Sequence, residues 1–369
     1  MAMKKIVSLT LMLVFALFAL VSCGGDELTP IPNHYPTDTN TDETVETVNL
    51  YIIGGEGTAN NETVQPIKNL IANKTSAKFS TKLNVIYLSE AEYCEKVMED
   101  ITEKYAKSSE AADPNKKVEG AIVLVNSIDF MNELMASEEI GVVDLSSYLL
   151  NKYATLNAAV PKPLLQAART EDGKIFALPN ARTIGHYTYL VINEEIACQT
   201  LKFSPSELAS YKTYEDTAEL RQAMIDNNYD PATYVTEKTG SFADKAKIEA
   251  EGNVCNIISV PTVSAADAFT SAFAIIDSGN EEINERSMRI ISALNENVEI
   301  RNILQYGVEY TNYTVENGNI VRKDGSDLYD MNYIYTGNAF ILEFCEEIGW
   351  TKADEENGKN QNKNAIYKA

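Results

Sequence analysis

A short run without a polar side chain, residues 121–125 (AIVLV), most constrains what this chain folds into. A strand that is apolar at every position is buried on both faces, as in parallel sheets covered by helices. Residues 48–53 and 83–88 also predict strands, and apolar residues at helical spacing follow each of them. This alternation of strands and helices predicts a parallel α/β domain.

Further strands are predicted in the second half of the chain. Residues 186–193 (HYTYLVIN) alternate strongly, and residues 253–261 form another strand-like run. Residues 315–321 predict a hairpin, because Asn317-Gly318 at their centre suits a two-residue turn.

Several helices are predicted from apolar spacing and end signals. Ser89 and Glu92 have the spacing of a capping box and predict a helix start. Residues 265–276 are small and apolar and predict a buried helix, whereas residues 282–304 predict one amphipathic helix. Residues 333–340 predict a last strand or an extended turn.

The N-terminus predicts export. Lys4 and Lys5 precede an almost wholly apolar stretch, residues 6–21, which is typical of a secretory signal peptide. The stretch ends in LVSC, residues 20–23, which resembles the lipobox of bacterial lipoproteins. In that family the cysteine is lipidated on its thiol and becomes the new N-terminus. The resemblance therefore implies a lipid anchor, palmitate included, on Cys23.

A polar segment follows the signal. Residues 24–47 are rich in Asp, Thr, Pro, Asn and Glu, and such a composition does not bury enough apolar surface to fold. We assign residues 1–22 to the signal peptide and residues 23–47 to a flexible tether. His34 lies in this tether and is given no role.

Charge and length limit the possible functions. The chain has 369 residues and a formal net charge of −23, which excludes the basic surface that a nucleic-acid or anionic-membrane partner requires. Its length suits two domains of ordinary size or one large domain.

Cysteine and histidine usage predicts no metal or cofactor site. Cys94, Cys198, Cys255 and Cys345 are far apart and form no CxxC pair. They are expected to be small buried hydrophobic residues, with two disulfides as the alternative. His186 is the one histidine outside the tether, so any triad or histidine-rich site would depend on it.

A glycine-rich loop follows the first predicted strand. Residues 51–62 (YIIGGEGTANNE) contain Gly54, Gly55 and Gly57 but match neither GxGxxG nor GxxxxGK[ST]. We therefore interpret this segment as a strand-to-helix loop rather than a phosphate cradle. Its glycines either let the backbone approach a ligand or form a turn that needs positive φ.

Segments distributed over most of the chain resemble extracellular solute-binding lipoproteins of bacterial ABC importers, in the branch that mostly takes up carbohydrates. No single segment is decisive, and their order carries the resemblance. They are LVSC (20–23), VVDLSSYLLNKY (142–153), DGKIFALPN (172–180), YLVINEEIA (189–197), KTYEDTAEL (212–220), ISVPTVSAADAFTSAFAI (258–275), LQYGVEYTNYTVENGNIV (304–321) and YTGNAF (335–340).

The resemblance implies two α/β lobes with parallel sheets, joined by a hinge of crossing strands, with the ligand held in the interlobe cleft. Residues 48–180 are expected to form the N-terminal lobe, and residues 181–369 the second lobe with hinge strands and returning helices. The chain departs from the family in stopping at Ala369, where further helical sequence usually follows, so we expect a short or truncated second lobe. It also has one tryptophan, Trp350, so tyrosines are expected to replace the usual tryptophan platforms.

Candidate ligand residues follow from this resemblance and from sugar chemistry. A sugar presents an apolar C–H face and a rim of hydroxyls, which a tyrosine ring with its polar tip matches. Each tyrosine has a structural alternative, Asn126 and Ser127 are equally suited to capping a helix, and Arg182 would either clamp a carboxylate or balance an acidic lobe. The full set is Glu56, Asn126, Ser127, Arg182, Tyr187, Tyr189, Tyr310, Tyr313, Tyr333, Tyr335 and Asn338.

The expected function is that of a non-enzymatic binding protein, anchored by lipid to the extracytoplasmic face of a bacterial cell membrane. It would capture a small solute, above all a sugar or oligosaccharide, and deliver it to the permease subunits of an ABC transporter without a cofactor. The alternatives are a peptide or other polar nutrient as ligand, an adhesive or structural lipoprotein, and a glycosidase, which needs two carboxylates at a set separation but for which no motif is present.

Overall fold

The chain was analysed as a computed structural model, which describes residues 45–55, 58, 64–106, 119–323 and 329–368. The strands are β1 Glu46–Ile53, β2 Thr81–Leu88, β3 Gly120–Val125, β4 Ala177–Pro179, β5 Tyr187–Asn193, β6 Val235–Gly240, β7 Asn253–Ile257, β8 Thr262–Val263, β9 Ala272–Ile276, β10 Tyr313–Glu316, β11 Asn319–Arg322 and β12 Ile366–Tyr367.

The α-helices are α1 Gln65–Phe79, α2 Tyr93–Tyr105, α3 Ile128–Ala136, α4 Ser146–Leu150, α5 Ala154–Ala159, α6 Lys162–Ala167, α7 Pro205–Leu208, α8 Ala218–Asp226, α9 Pro231–Tyr234, α10 Phe242–Ala250, α11 Ala265–Phe269, α12 Glu281–Glu296, α13 Val298–Tyr306 and α14 Lys352–Asn364. Shorter helical turns are the π-helix Glu195–Thr200 and the 3-10 turns Glu215–Thr217, Ala339–Ile341 and Glu346–Ile348. In the part of the chain that the structure describes, no helix has the length and apolarity to cross a membrane.

A five-stranded sheet in the order β2-β1-β3-β9-β4 forms the first lobe. β1 pairs in parallel with β2 and β3, and every residue of β3 is buried, which confirms the interpretation of the AIVLV run. β9 pairs antiparallel with β3 and β4, so the chain returns to this sheet late in its course. Helix α12 packs on β1, β3 and β9, and α13 packs on α1.

A three-stranded sheet in the order β6-β5-β7 forms the second lobe. The mixed α/β class is confirmed, but both pairings of β5 are antiparallel, unlike the parallel sheet expected for this lobe. One face of the sheet packs on α7, α8 and α9 through a core that includes Leu190, Ile192, Leu208, Leu220 and Met224.

Two predicted helices are partly wrong. Residues 265–276 divide into α11 and the strand β9, because a short apolar run does not distinguish a buried helix from a strand that is buried on both faces. Residues 282–304 divide into α12 and α13 at Asn297, whose side-chain oxygen accepts a hydrogen bond from the Ile300 amide at 3.0 Å. Residues 333–340 form turns rather than a strand.

The predicted hairpin and the predicted helix start at Ser89 have different outcomes. The hairpin is confirmed, with Asn317 at φ 53° and Gly318 at φ 82° between β10 and β11. The predicted helix start at Ser89 is wrong, because a turn from Ser89 to Glu92 separates β2 from α2. Glu92 makes no side-chain capping bond to α2, whereas Ser89 Oγ lies 3.4 Å from the Glu92 carboxylate.

The chain crosses between the sheets in segments held by a polar helix. The backbones of His186 and Thr262 exchange two hydrogen bonds of 3.1 Å, and β12 pairs in parallel with β8 beside them. Helix α14 contributes Gln361, whose amide donates to the Ile184 and Gly185 carbonyls at 2.8 and 2.7 Å. Backbone groups and amide side chains thus tie the crossing segments together.

Candidate functional site

A cleft of about 940 Å³ opens at the carboxyl ends of β1 and β2. One side, which we call the strand-end wall, comprises residues 53–55 and 89–91. The other side, the C-terminal wall, comprises Arg322, residues 330–333, Tyr335, Glu347 and Ile348. Ligands of parallel α/β sheets bind at this end of the strands, so the position of the cleft suits a binding site.

The two walls are joined at the base of the cleft. The Gly55 amide donates to the Asp330 carbonyl at 2.8 Å. The buried Thr58 hydroxyl accepts from the Asp330 amide at 3.0 Å and donates to its carbonyl at 3.1 Å. Nearby, the hydroxyls of Tyr87 and Tyr329 lie 3.0 Å apart. These bonds fix the walls to each other before any ligand arrives.

The glycines of the opening loop are required for close approach. Neither Gly54 nor Gly55 has positive φ, so a turn conformation does not explain them. A Cβ on Gly54 would lie 2.8 Å from a Thr58 methyl carbon, and a Cβ on Gly55 would lie 2.9 Å from the Asp330 carbonyl oxygen. Only a residue without a side chain permits this junction of the walls.

The C-terminal wall has little regular structure and is held from behind by α13. Arg301 is fully buried, and its guanidinium donates to the Asn338 carbonyl at 3.2 Å, to the Tyr333 carbonyl at 2.6 Å and to the Thr336 hydroxyl. One turn later, the Gln305 amide donates to the Met331 carbonyl at 2.6 Å. Burial lowers the pKa of Arg301 to about 9.

Arg182 ties the crossing segment to α11 and to the residues between α11 and β9. Its guanidinium donates to the Asn180 and Ser271 carbonyls at 3.1 and 3.3 Å, to the Thr270 hydroxyl at 2.8 Å and to the Asp267 carbonyl. Burial lowers its pKa to about 10, although the Asp267 carboxylate opposes the shift. Because its terminal nitrogens donate to these protein groups, Arg182 has a structural role.

Aromatic rings give the C-terminal wall a flat, amphipathic surface. Tyr333 lies 5.5 Å, between ring centroids, from Trp350 at an interplanar angle of 32°. Burial raises the pKa of Tyr335, and the Glu90 carboxylate across the cleft adds to the shift. A phenol that holds its proton remains a hydrogen-bond donor, which suits hydroxyl-rich ligands.

Of the predicted ligand residues, Tyr333 and Tyr335 line the cleft. The other described ones occupy different places in the fold. Asn126 and Ser127 follow β3 outside the cleft lining, and the Ser127 hydroxyl caps α3 by accepting from the Phe130 amide at 3.1 Å. Glu56 and Cys23 lie outside the described residues.

Four further predicted positions belong to packed clusters or to the surface. Tyr187 and Tyr189 pack together in the second lobe, where the Tyr189 hydroxyl donates to the Ser241 carbonyl at 2.7 Å. Tyr313 packs on Tyr306. Tyr310 is 73% exposed, and its backbone has a positive φ of 64°.

Asn338 also has a structural place. It is buried, and its amide donates to the Asn295 carbonyl at 3.0 Å while its oxygen accepts from the Phe340 amide at 2.9 Å. These bonds hold the turn that follows the C-terminal wall.

Most polar residues of the cleft have no distinguishing pattern in the sequence. Ser89 was assigned to a helix cap, and the remaining residues lie in ordinary-looking polar stretches. They are Glu90, Arg322, Asp330, Asn332 and Glu347.

A second pocket, of about 600 Å³, lies beside β7 in the second lobe. It contains Lys212, Lys245, Glu194 and Glu249, and none of the predicted ligand residues lines it. Within the described ranges, no group of three or more His, Cys, Asp or Glu side chains is placed to hold a metal ion. Cys94, Cys198, Cys255 and Cys345 are free thiols.

Comparison with known proteins identifies the architecture. The N-glycan transport solute binding protein NgtS from Streptococcus pneumoniae superposes with a TM-score of 0.54 at 18% identity, covering 88% of this chain and 84% of that one. This chain has the two-lobed fold of a solute-binding protein. The same protein solved with Man1GlcNAc gives a TM-score of 0.52 at 17% identity, covering 87% and 84%. The complex of that protein with Man5GlcNAc gives a TM-score of 0.51 at 17% identity, covering 88% of this chain and 83% of that one.

Sequence comparisons add nothing to this structural likeness. No protein-family model matches the chain, and no curated protein matches it.

Proposed function

We propose that this chain is the substrate-binding lipoprotein of an ABC importer and that it captures a sugar or oligosaccharide in the cleft between the strand-end wall and the C-terminal wall. The observation that carries the proposal is the cleft itself, a concave site with tyrosine rings at the strand ends of a solute-binding-protein fold. Its volume of about 940 Å³ lies at the upper end of the range of about 300–1,000 Å³ typical of small-molecule sites.

The chemistry of the cleft supports a carbohydrate. Tyr333, Tyr335 and Ile348 offer apolar surface for C–H faces, whereas Asn332 and Ser89 offer hydrogen-bonding groups for hydroxyls. Such a mixture suits a ligand with an apolar face and a polar rim. NgtS has been solved in complex with Man1GlcNAc and with Man5GlcNAc, which is consistent with this class of ligand.

Binding rather than catalysis is proposed because NgtS, whose fold this chain shares, is a solute binding protein. His186 lies at the crossing segments, with Nε2 3.5 Å from the Asp267 carboxylate. Delivery would follow from movement of the second lobe relative to the first lobe and its bound ligand, which changes the shape presented to permease subunits.

The test is a glycan array followed by calorimetric titration, with the chain from Gly24 onward. Neutral oligosaccharides are expected to bind and to be recovered intact by mass spectrometry. Tyr335→Ala is expected to weaken binding by about tenfold or more, equivalent to about 1.4 kcal/mol. The matched control Tyr310→Ala, at an exposed tyrosine outside the cleft, is expected to leave affinity unchanged.

Other outcomes would identify a different function. Binding of peptides alone would indicate a peptide importer. A sharp melt without any ligand would support an adhesive or structural lipoprotein, and shortened glycans would indicate a glycosidase.

We also propose that Cys23 carries the lipid that holds the protein at the extracytoplasmic face of the membrane. The support is the segment LVSC after an apolar signal. In the full chain expressed in a bacterium, Cys23→Ala is expected to move the protein from the membrane fraction to the soluble fraction, and Ser22→Ala, which keeps a small residue before the cysteine, to leave it in place. A wild-type protein found without acyl chains by mass spectrometry would overturn the assignment.

A further inference from the structure

Among the lining residues that the structure describes, the cleft carries more negative than positive charge. Its lining includes three carboxylates, those of Glu90, Asp330 and Glu347, and one guanidinium, that of Arg322. Glu90 and Glu347 are exposed and come from different elements, the turn after β2 and the 3-10 turn Glu346–Ile348. Acidic groups therefore stand on both walls.

Arg322, the one cation among the described lining residues, is already engaged. Arg322 Nη2 donates to the Tyr329 carbonyl at 3.0 Å, and Nη1 lies 3.8 Å from the Asp330 carboxylate. The Arg322 side chain is 18% exposed and that of Asp330 is 62% exposed. An anionic ligand would compete with Asp330 for this guanidinium.

Two buried arginines outside the cleft lining do not supply the missing positive charge to a ligand. The Arg301 guanidinium donates to the Tyr333 and Asn338 carbonyls, and the Arg182 guanidinium donates to the Asn180 carbonyl and the Thr270 hydroxyl. Their charges reduce the negative potential, but recognition of a carboxylate or sulfate needs donors that point at it. Apart from Arg322, the side-chain donors among the described lining residues are two phenols, an amide and a serine hydroxyl.

We propose that the cleft selects uncharged or amino-bearing glycans and rejects acidic ones, such as uronates and sialylated or sulfated sugars. This inference rests on the proposed function, since it names the class of sugar that the same site accepts. Ionised carboxylates accept hydrogen bonds from sugar hydroxyls and ammonium groups and have no proton to donate to an acidic sugar. Like charges brought together at a binding surface disfavour association strongly, which gives selectivity by exclusion.

The first test is an array of matched pairs. Neutral mannose-, glucose-, galactose- and N-acetylhexosamine-containing oligosaccharides are each printed beside a uronate, sialylated or sulfated counterpart, with deacetylated chitin oligosaccharides as the amino-bearing members. Binding is expected among the neutral and amino-bearing members, with acidic counterparts at least about tenfold weaker. Acidic counterparts that bind as well or better would overturn the inference and leave the proposed function standing. No binding by any glycan would instead overturn the proposed function.

The second test assigns the selectivity to named side chains. Glu90→Gln and Glu347→Gln keep the size of each side chain and remove its charge. Together they are expected to reduce the preference for neutral over acidic members by about fivefold or more, as a like charge is removed from each wall. Both positions are exposed, so thermal melts of the variants should match the wild type.

The control is Glu251→Gln together with Glu171→Gln, two exposed carboxylates outside the cleft lining. These variants change the net charge of the protein by the same amount. They are expected to leave the preference unchanged. An equal loss of preference in the control would place the discrimination in the overall charge of the protein and contradict the assignment to Glu90 and Glu347.

Discussion

The two walls of the cleft are built by different physical means. The strand-end wall consists of the ends of parallel strands, whose positions are fixed by a sheet buried on both faces. The C-terminal wall has little repeating hydrogen-bond pattern of its own and depends on two side chains of α13, Arg301 and Gln305. The first wall is therefore a product of the global fold, and the second is a local arrangement that single substitutions can undo.

The largest effect is expected from Arg301→Met. The substitution keeps an unbranched side chain but leaves the carbonyls of Tyr333 and Asn338 without their donor. Each buried polar group left unsatisfied costs about 1–3 kcal/mol, so the free energy of unfolding should fall by about 3 kcal/mol or more. Glycan affinity should fall with it, since the wall is no longer held. Urea unfolding and calorimetric titration measure the two quantities.

Arg169→Met is the control for that substitution, because Arg169 is exposed and lies near Gly173, outside the cleft lining. It should change the free energy of unfolding by less than about 0.5 kcal/mol. Similar losses in both variants would contradict the supporting role of Arg301.

A smaller effect is expected at the junction of the walls. Thr58→Val removes the hydroxyl that accepts from the Asp330 amide and donates to its carbonyl, with little change in size. The expected loss is about 2–3 kcal/mol of unfolding free energy, accompanied by weaker glycan binding, because a buried amide loses its acceptor. Thr58→Ser, which keeps the hydroxyl, should retain affinity. A valine variant with wild-type affinity would show that the junction is irrelevant to binding.

Tyr93→Phe is expected to lower stability without lowering glycan affinity, unlike the substitutions that act on the C-terminal wall and on the junction of the walls. The Tyr93 hydroxyl accepts from the Leu124 amide at 2.8 Å and donates to the Tyr51 carbonyl at 2.9 Å, inside the first sheet. Its loss should cost about 1–2 kcal/mol of unfolding free energy. Affinity at temperatures well below the melting point should remain unchanged, because the strand ends keep their positions. A marked loss of affinity would mean that this wall, too, is locally fragile.

The smallest effect is expected from pH. Hydrogen bonds from His186 and Ser264 lower the pKa of Asp267 to about 2. The stabilisation is therefore complete above the ordinary value of 3.8 and is lost as the pH falls from there towards about 2. Asp267→Asn should flatten the stability profile in that window, measured by thermal melts. Asp129→Asn, at an exposed residue, serves as the control, and a matching change there would refute the assignment.

His186 makes the stability of the protein depend on pH in the sense opposite to Asp267. Its hydrogen bond to Asp267 raises the pKa of the imidazole above 6.5. Its stabilisation is present below pH 6.5 and is lost as the pH rises through the raised value.

How much the sequence predicts also differs between the walls. Periodicity and apolar runs predicted β1, β2 and β3, and with them the strand-end wall, because burial on both faces leaves a clear pattern. The turn at Ser89–Glu92 was missed, since a capping-box spacing does not specify where the helix begins. The glycines at 54 and 55 were noticed, but their partner, the Asp330 backbone, lies far along the chain.

The C-terminal wall was largely beyond prediction. Tyr333 and Tyr335 were chosen for their residue type and the family resemblance, and they line the cleft, although their contact with a ligand stays a prediction. Arg301 and Gln305 lie in an amphipathic helix, where polar residues are normally assigned to the solvent face. Burial of both side chains depends on tertiary contacts with the segment 331–338, which leave no periodic signal.

The most direct test of this account is a crystal structure of the chain with the neutral glycan that binds best. We expect the glycan between the two walls, with a sugar face against Tyr333 or Tyr335 and hydroxyls within hydrogen-bond distance of Glu90, Asn332 or Glu347. A glycan bound instead in the pocket beside β7, next to Lys212 and Lys245, would contradict the assignment of the binding site.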